Sequence, residues 1–120
     1  MKLRETLNDN VMDLLVRVSE IMTNEDRADK ILPIILDNIR DDGDEDKRIM
    51  GLILMDRLAM LLGKDICQNY LMHEIVSLQD DSVYRVRRET VLKIINISKV
   101  LGKDIFLRLL FPVYKKLSSD

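Results

Sequence analysis

The amino-acid sequence repeats itself with a regular spacing. The block Leu-Gly-Lys-Asp-Ile stands at 62–66 and again at 101–105, an offset of 39. An aspartate pair recurs at the same offset, at 41–42 and 80–81, and so does an arginine, at Arg48 and Arg87. An apolar stripe with helical steps recurs too: Leu52, Met55, Leu58 and Leu62 correspond to Val91, Ile94, Ile97 and Leu101, and at an offset of 40 to Met12, Leu15, Val18 and Met22. The fold is therefore restricted to a few copies of one small helical unit.

The repeat predicts six helices, near 7–22, 27–40, 46–62, 66–79, 84–101 and 104–117. Gly63 and Gly102 each follow a predicted helix, as glycine commonly does at helix C-termini. Pro33 and Pro112 stand inside the second and sixth helices, where a proline removes one hydrogen bond and bends the helix. With only four glycines and two prolines, the chain has too few turn formers for a many-stranded β fold.

Repeats of about 40–47 residues with two helices each are typical of HEAT and armadillo solenoids. We therefore predict an all-α HEAT-repeat solenoid of about six antiparallel helices, forming a single domain over residues 1–120. It comprises a half repeat at 7–22, full repeats at 27–62 and 66–101, and a half repeat at 104–120.

The residue inventory argues against catalysis. The chain has one histidine, His73, and one cysteine, Cys67, whereas a Cys/His metal site needs about four ligands. Residues six apart on a helix lie roughly 120° apart around its axis, so this pair does not meet. The glycines are scattered and build no phosphate-binding loop. We predict no enzyme activity, no metal and no cofactor, with Cys67 a small buried apolar residue.

Charge and hydropathy restrict the partners and the compartment. The net charge is -2 and the pI about 5.4, whereas nucleic-acid-binding domains are commonly basic, so nucleic acid is disfavoured as a partner. No apolar run approaches the roughly 20 residues of a membrane span, and no signal peptide is recognisable. A lone cysteine forms no internal disulfide, which fits a reducing compartment. We expect the cytoplasm, with the nucleus as a second location.

Two segments resemble HEAT repeats. Residues 109–120, Leu-Leu-Phe-Pro-x-Tyr-x-x-Leu-x-x-Asp, resemble the first helix of such a repeat, and residues 81–87 resemble the Asp-x-x-aromatic-x-Val-Arg turn into the second. The spacing is similar to that of the protein phosphatase 2A scaffold subunits, and the Leu-Gly-Lys-Asp-Ile block resembles the regulatory subunit 1 family of protein phosphatase 4. Three positions depart from the pattern: Lys47 replaces valine before Arg48, His73 or Met72 replaces the helix proline, and Leu7-Asn8 stands where Val-Arg would be.

The resemblance implies a non-catalytic scaffold or regulatory subunit that binds a 2A/4-type phosphatase catalytic subunit, or other proteins, along the ridge of turns inside its repeats. The predicted protein-binding residues on this ridge are Asp42, Asp44, Asp46, Asp81, Tyr84, Arg85 and Arg88. The resemblance also implies a structural role for Arg48, Asp81 and Arg87, whose hydrogen bonds would tie neighbouring turns together.

Other functions stay open. An importin-like transport or trafficking adaptor would bind cargo on the inner helices, and a structural segment of a larger assembly would have no phosphatase partner. A basic cluster at 85–93 is a conceivable nucleic-acid site, but it offers few phosphate contacts beside an acidic ridge.

The terminal helices are expected to lack a covering neighbour, because a solenoid needs polar end caps. The apolar residues expected to be uncovered are Met12, Leu15 and Val18 at one end, and Ile105, Leu109, Leu110 and Val113 at the other. This predicts end-on self-association or additional HEAT repeats.

Overall fold

The computed structural model describes residues 8–119, and all regular structure in this range is helical. The prediction of an all-α chain is confirmed. The helices are α1 (Asp9–Ile21), α2 (24–39), α3 (45–62), α4 (64–78), α5 (Tyr84–Leu101) and α6 (103–118). Leu7 and Asp120, which belong to the predicted terminal half repeats, lie outside the described residues.

Polar side chains fix the starts of the first three helices. Asn8 accepts a hydrogen bond from the Val11 amide at 3.1 Å, and Thr23 accepts one from the Asp26 amide at 3.1 Å. Asp44 accepts one from the Lys47 amide at 3.2 Å. Each bond satisfies one of the amides that a helix start leaves without a partner.

Two glycines turn the chain between consecutive helices. Gly63 (φ 86°, ψ 169°) separates α3 from α4, and Gly102 (φ 93°, ψ 166°) separates α5 from α6. A side chain is strained at such positive φ values, so the glycine is required by the backbone and not by crowding. The repeated Leu-Gly-Lys-Asp-Ile block is thus the connection between two helices in both places.

The helices α2, α4 and α6 each contain one π-helical turn, at Arg27–Ile31, Cys67–Leu71 and Phe106–Leu110. The amide after each turn donates to the carbonyl five residues earlier, as Leu32 does to Arg27. The first and last turns precede Pro33 and Pro112, but the middle one precedes His73, so the irregularity belongs to the repeat and does not require proline.

The first interval between these π turns is one residue longer than the second, since the turns begin at 27, 67 and 106. The prolines that follow the first and last turns are therefore 79 apart and not 78. The extra residue lies in the helical segment Leu32–Ile39, which has eight residues, whereas its counterpart Met72–Leu78 has seven.

Helix α3 is the centre of the packing, in contact with α1, α2, α4 and α5. Helix α5 in turn packs against α4 and α6. Helix α3 fits α2 closely at Gly51, where an added Cβ would lie 2.8 Å from both the side chain and the backbone nitrogen of Ile39. The fully buried core includes Ile35, Leu52, Leu54, Met55, Leu58, Leu71, Ile75, Ile94, Ile97 and Leu110.

The expectation about uncovered terminal residues is wrong for four side chains. Met12, Ile105, Leu110 and Val113 are buried in the common core, and Leu15 is half-buried. Only Val18 and Leu109 of that set are exposed. A terminal helix still buries the side of its apolar stripe that faces its neighbours, so the uncovered side chains lie further around the helix, at positions such as Leu14 and Ile21.

Within residues 8–119 no helix combines the length and apolar character needed to cross a membrane.

Candidate functional site

Two turns lie side by side where α2 leads into α3 and α4 leads into α5. They comprise residues 40–44 and 79–83. Between them is a groove of about 520 Å³, which we call the ridge groove. Its polar lining consists of Arg40, Asp42, Arg48, Glu74, Ser77, Asp80, Asp81 and Ser82.

A buried ion pair joins the two turns beneath the groove. Arg48 Nη2 donates to Asp81 Oδ1 at 3.1 Å, and Arg48 Nε lies 2.8 Å from Oδ2 at an angle too bent for a hydrogen bond. The side chains are only 5% and 8% exposed. Asp81 also accepts the Val83 amide at 2.9 Å, so its carboxylate is held from two sides. The hydrogen bond and the close contact of opposite charges link the two turns at this point.

Arg48 and Arg87 make the same contact in successive turns. Arg48 Nη1 donates to the carbonyl of Asp42 at 3.0 Å, and Arg87 Nη1 donates to the carbonyl of Asp81 at 2.7 Å. Arg48 also reaches the carbonyl of Asp41 at 2.9 Å. Each arginine therefore closes the turn that precedes its own helix. The counterpart of Asp81 one repeat further on, Asp120, lies outside the described residues.

The carboxylates of the first turn differ in how accessible they are to a binding partner. Lys47 lies 3.1 Å from the Asp41 carboxylate and lowers its pKa, and the Gly43 amide also donates to it. Asp44 caps α3. Asp42 is exposed, and its backbone carbonyl accepts the bond from Arg48. Of the aspartates from 41 to 44, Asp42 is the carboxylate that a partner can most readily reach.

Two further ion pairs border the ridge groove. Arg40 pairs with Glu74 at 2.5 Å, and Lys116 of α6 pairs with Asp80 at 2.9 Å. Asp80 falls in the predicted ridge, but the repeat pattern does not predict Arg40, Glu74 or Lys116 as part of a site. The position that corresponds to Arg40 in the next repeat holds Gln79, so no charge recurs there to mark the pair.

Asp46 and Arg85, both predicted to bind partners, bind each other. Arg85 Nη2 donates to Asp46 Oδ1 at 2.6 Å, and Nη1 lies 3.7 Å from Glu45. The hydrogen bond to Asp46 is the main cause of the raised pKa of Arg85. These side chains link α3 to α5, and their charges largely offset one another.

The structure separates Tyr84 and Arg88 from the ridge groove. Both line a second hollow, of about 260 Å³, together with Val91, Leu92, Leu117 and Ser118. Tyr84 is 54% exposed, and the guanidinium carbon of Arg87 lies 5.7 Å from the centre of its ring. The predicted protein-binding residues therefore do not share one surface. Asp42 and Asp81 line the ridge groove, and Tyr84 and Arg88 line the hollow between α5 and α6. Asp44, Asp46 and Arg85 line neither.

The part of the chain that the structure describes has few side chains arranged for metal binding or nucleophilic attack. No three His, Cys, Asp or Glu side chains of residues 8–119 are grouped so as to hold a metal ion. Cys67 is fully buried, and burial raises the pKa of its thiol to about 11. Such a thiol is a poor nucleophile at neutral pH, because the thiolate is the reactive form.

Comparisons with models of known protein families, with curated proteins and with solved structures find no match. A function for this chain is therefore inferred from its own contacts and its sequence pattern.

Proposed function

We propose that this chain is a non-catalytic HEAT-repeat scaffold or regulatory subunit of a 2A/4-type serine/threonine protein phosphatase, and that it binds its partner through the turns that form the ridge groove. The observation that carries the proposal is the pair of neighbouring turns joined by Arg48 and Asp81, with polar and acidic side chains displayed above this buried pair. The sequence resemblance to phosphatase scaffold subunits supplies the class of partner.

The regularity of the helical stack supports the HEAT part of the proposal. The π turns, the glycines with positive φ and the contacts of Arg48 and Arg87 with the preceding turn all recur at the spacing of the repeat. A rigid stack of this kind holds bound proteins at fixed distances and raises their effective concentration toward each other.

The ridge groove favours a partner with basic or hydrogen-bond-donating groups. Asp42 is exposed at its edge, Asp80 is exposed there although it pairs with Lys116 at 2.9 Å, and Ser77 and Ser82 add hydroxyl groups. Asp81 does not contribute free charge, since Arg48 neutralises it.

Direct binding of a purified 2A/4-type catalytic subunit, measured by calorimetry, tests the proposal. The variant Asp42→Lys/Asp80→Lys reverses two exposed charges at the groove, and we expect at least about tenfold weaker binding, as for charges at a protein interface. The matched control, Asp29→Lys/Asp37→Lys, makes the same change in net charge on exposed positions of α2 and should leave the affinity within about twofold.

No binding of the catalytic subunit to the folded chain would overturn the phosphatase proposal. An equal loss in both variants would show that net charge, and not the ridge groove, governs binding. If Met60→Lys on the exposed side of α3 abolishes binding of a partner and the groove variant does not, the adaptor function is favoured instead.

A further inference from the structure

The face of α1 that points away from α3 is apolar, and within residues 8–119 no helix covers it. Leu14 and Ile21 are 61% and 86% exposed, and Val18 is exposed between them. Their counterparts one repeat later in α3 are covered: Leu54 and Leu58 are fully buried, and Leu61 is partly buried. The stripe of α3 is therefore buried where another helix, α1, packs against it.

The opposite face of the molecule, formed by α5 and α6, is also apolar. Phe111 is 39% exposed, whereas its counterparts Met72 and Leu32 are 8% and 6% exposed. Leu92 and Ile95 are exposed on α5, and Leu92 lines the hollow of about 260 Å³. This is the face that a further helical repeat would cover.

The two faces lie in regions of opposite charge. Residues 8–39 contain seven acidic and three basic residues, a net charge of -4, and residues 84–119 contain two acidic and nine basic residues, a net charge of +7. Pairing with other segments reduces both charges. Arg85, Lys93 and Lys116 pair with Asp46, Asp56 and Asp80, which leaves +4, and Asp13 pairs with Arg57, which leaves -3. We therefore call the face with Leu14, Val18 and Ile21 the acidic end, and the face with Leu92, Ile95 and Phe111 the basic end.

Charged groups lie close to both apolar faces. At the basic end Arg88 lines the hollow, and Lys115 lies 5.9 Å from the centre of the Phe111 ring. At the acidic end Arg17, three residues after Leu14, is the charged residue of α1 nearest the stripe, and the exposed Glu20 and Glu25 lie further around the helix and at the start of α2.

We propose that a second copy of this chain occupies the basic end, docking its acidic end there in a head-to-tail arrangement that continues the spacing of the repeat. Shape supports this occupant, because within one chain α3 packs on α1 and α5 packs on α3. Charge supports it as well, since the two faces attract each other and each repels its own kind. The association does not depend on the phosphatase function.

Such contacts are heterologous and leave a free face at each end of the assembly, so they build open chains whose length grows with concentration. They should also be weakened by salt. Raising NaCl from about 0.01 M to about 1 M shortens the Debye length from about 30 Å to about 3 Å and removes the attraction between the ends.

Sedimentation velocity of the purified full chain, over a hundredfold range of concentration and at both salt levels, tests the proposal. The variant Leu14→Lys/Ile21→Lys blocks the acidic end, and Leu92→Lys/Ile95→Lys blocks the basic end by placing ammonium groups against the apolar stripe. All four positions are exposed, so we expect unchanged helicity by circular dichroism. The control, Met60→Lys/Tyr70→Lys, changes exposed apolar positions on other surfaces.

We expect the unmodified chain and the control to form concentration-dependent oligomers at low salt, and each blocked variant to lose at least about tenfold in association constant. An equimolar mixture of the two blocked variants has one intact face of each kind and should form a dimer that grows no further. A chain that stays monomeric at low salt would overturn the proposal. So would a dimer that survives in one blocked variant alone, because it would use the same face on both partners.

Discussion

Replacing Arg48 tests whether the buried ion pair fixes the two turns. In Arg48→Met the side chain stays long and becomes apolar, but the Asp81 carboxylate, 8% exposed, loses its cationic partner. Breaking a buried pair on one side costs about 3–5 kcal/mol, because an uncompensated charge remains buried. The carbonyls of Asp41 and Asp42 also lose a donor, which adds to the loss. Since small domains are stable by only about 5–15 kcal/mol, this is a large share of the total.

The assay is urea unfolding followed by circular dichroism, with a matched substitution as control. Arg57→Met removes an arginine from the ion pair with Asp13, whose side chains are 37% and 58% exposed, and should cost at most about 1 kcal/mol. The double variant Arg48→Met/Asp81→Leu should cost less than the sum of its single variants, because it leaves no buried charge. If Arg48→Met costs no more than Arg57→Met, the buried pair does not hold the turns and the reasoning is refuted.

Three further predictions concern single residues. Gly51→Ala should destabilise the chain by about 1–3 kcal/mol in the same assay, because its Cβ would lie 2.8 Å from Ile39 atoms, whereas Gly43→Ala should be close to neutral, since its nearest atom is 3.7 Å away. Gly102→Ala, at φ 93° and ψ 166°, should cost about 1–3 kcal/mol although no atom crowds the new methyl group, because this backbone region is essentially restricted to glycine. Cys67 should react with a thiol reagent at pH 8 only when the chain unfolds, because its side chain is buried. Burial also raises the pKa of this thiol from 9.0 to about 11. The contribution of Cys67 to the free energy of unfolding is therefore complete below pH 9 and falls between pH 9 and 11.

Much of the local structure is predictable from the sequence because it depends on near neighbours. The positions of Gly63 and Gly102 mark where α3 and α5 end, and the apolar steps of three and four locate the helices closely. The π turn at Cys67–Leu71 is different, because it cannot be recognised in the sequence. His73 stands where the other two repeats have proline, and no residue type is specific for a hydrogen bond to the carbonyl five residues earlier.

The site depends on distances between elements, which the sequence does not contain. Tyr84 follows the second turn directly, yet it lines the hollow with Leu92 and Leu117, because the first turn of α5 directs it away from the groove. For Asp81 the resemblance to HEAT repeats implies hydrogen bonds between neighbouring turns, but only the structure shows that its partner is Arg48, 33 residues earlier, and that the pair is buried. Arg40 and Glu74 meet across two helices with no repeated spacing to reveal them.

Hydrogen exchange by mass spectrometry, with and without a purified 2A/4-type catalytic subunit, tests the central claim most directly. A partner bound on the ridge slows exchange in the amides of 40–44 and 79–83, which flank the groove, and leaves the exposed sides of α1 and α3 unchanged. The account predicts this protection, and its loss in Asp42→Lys/Asp80→Lys. Unchanged exchange throughout, or protection confined to α1 and α3, would contradict it.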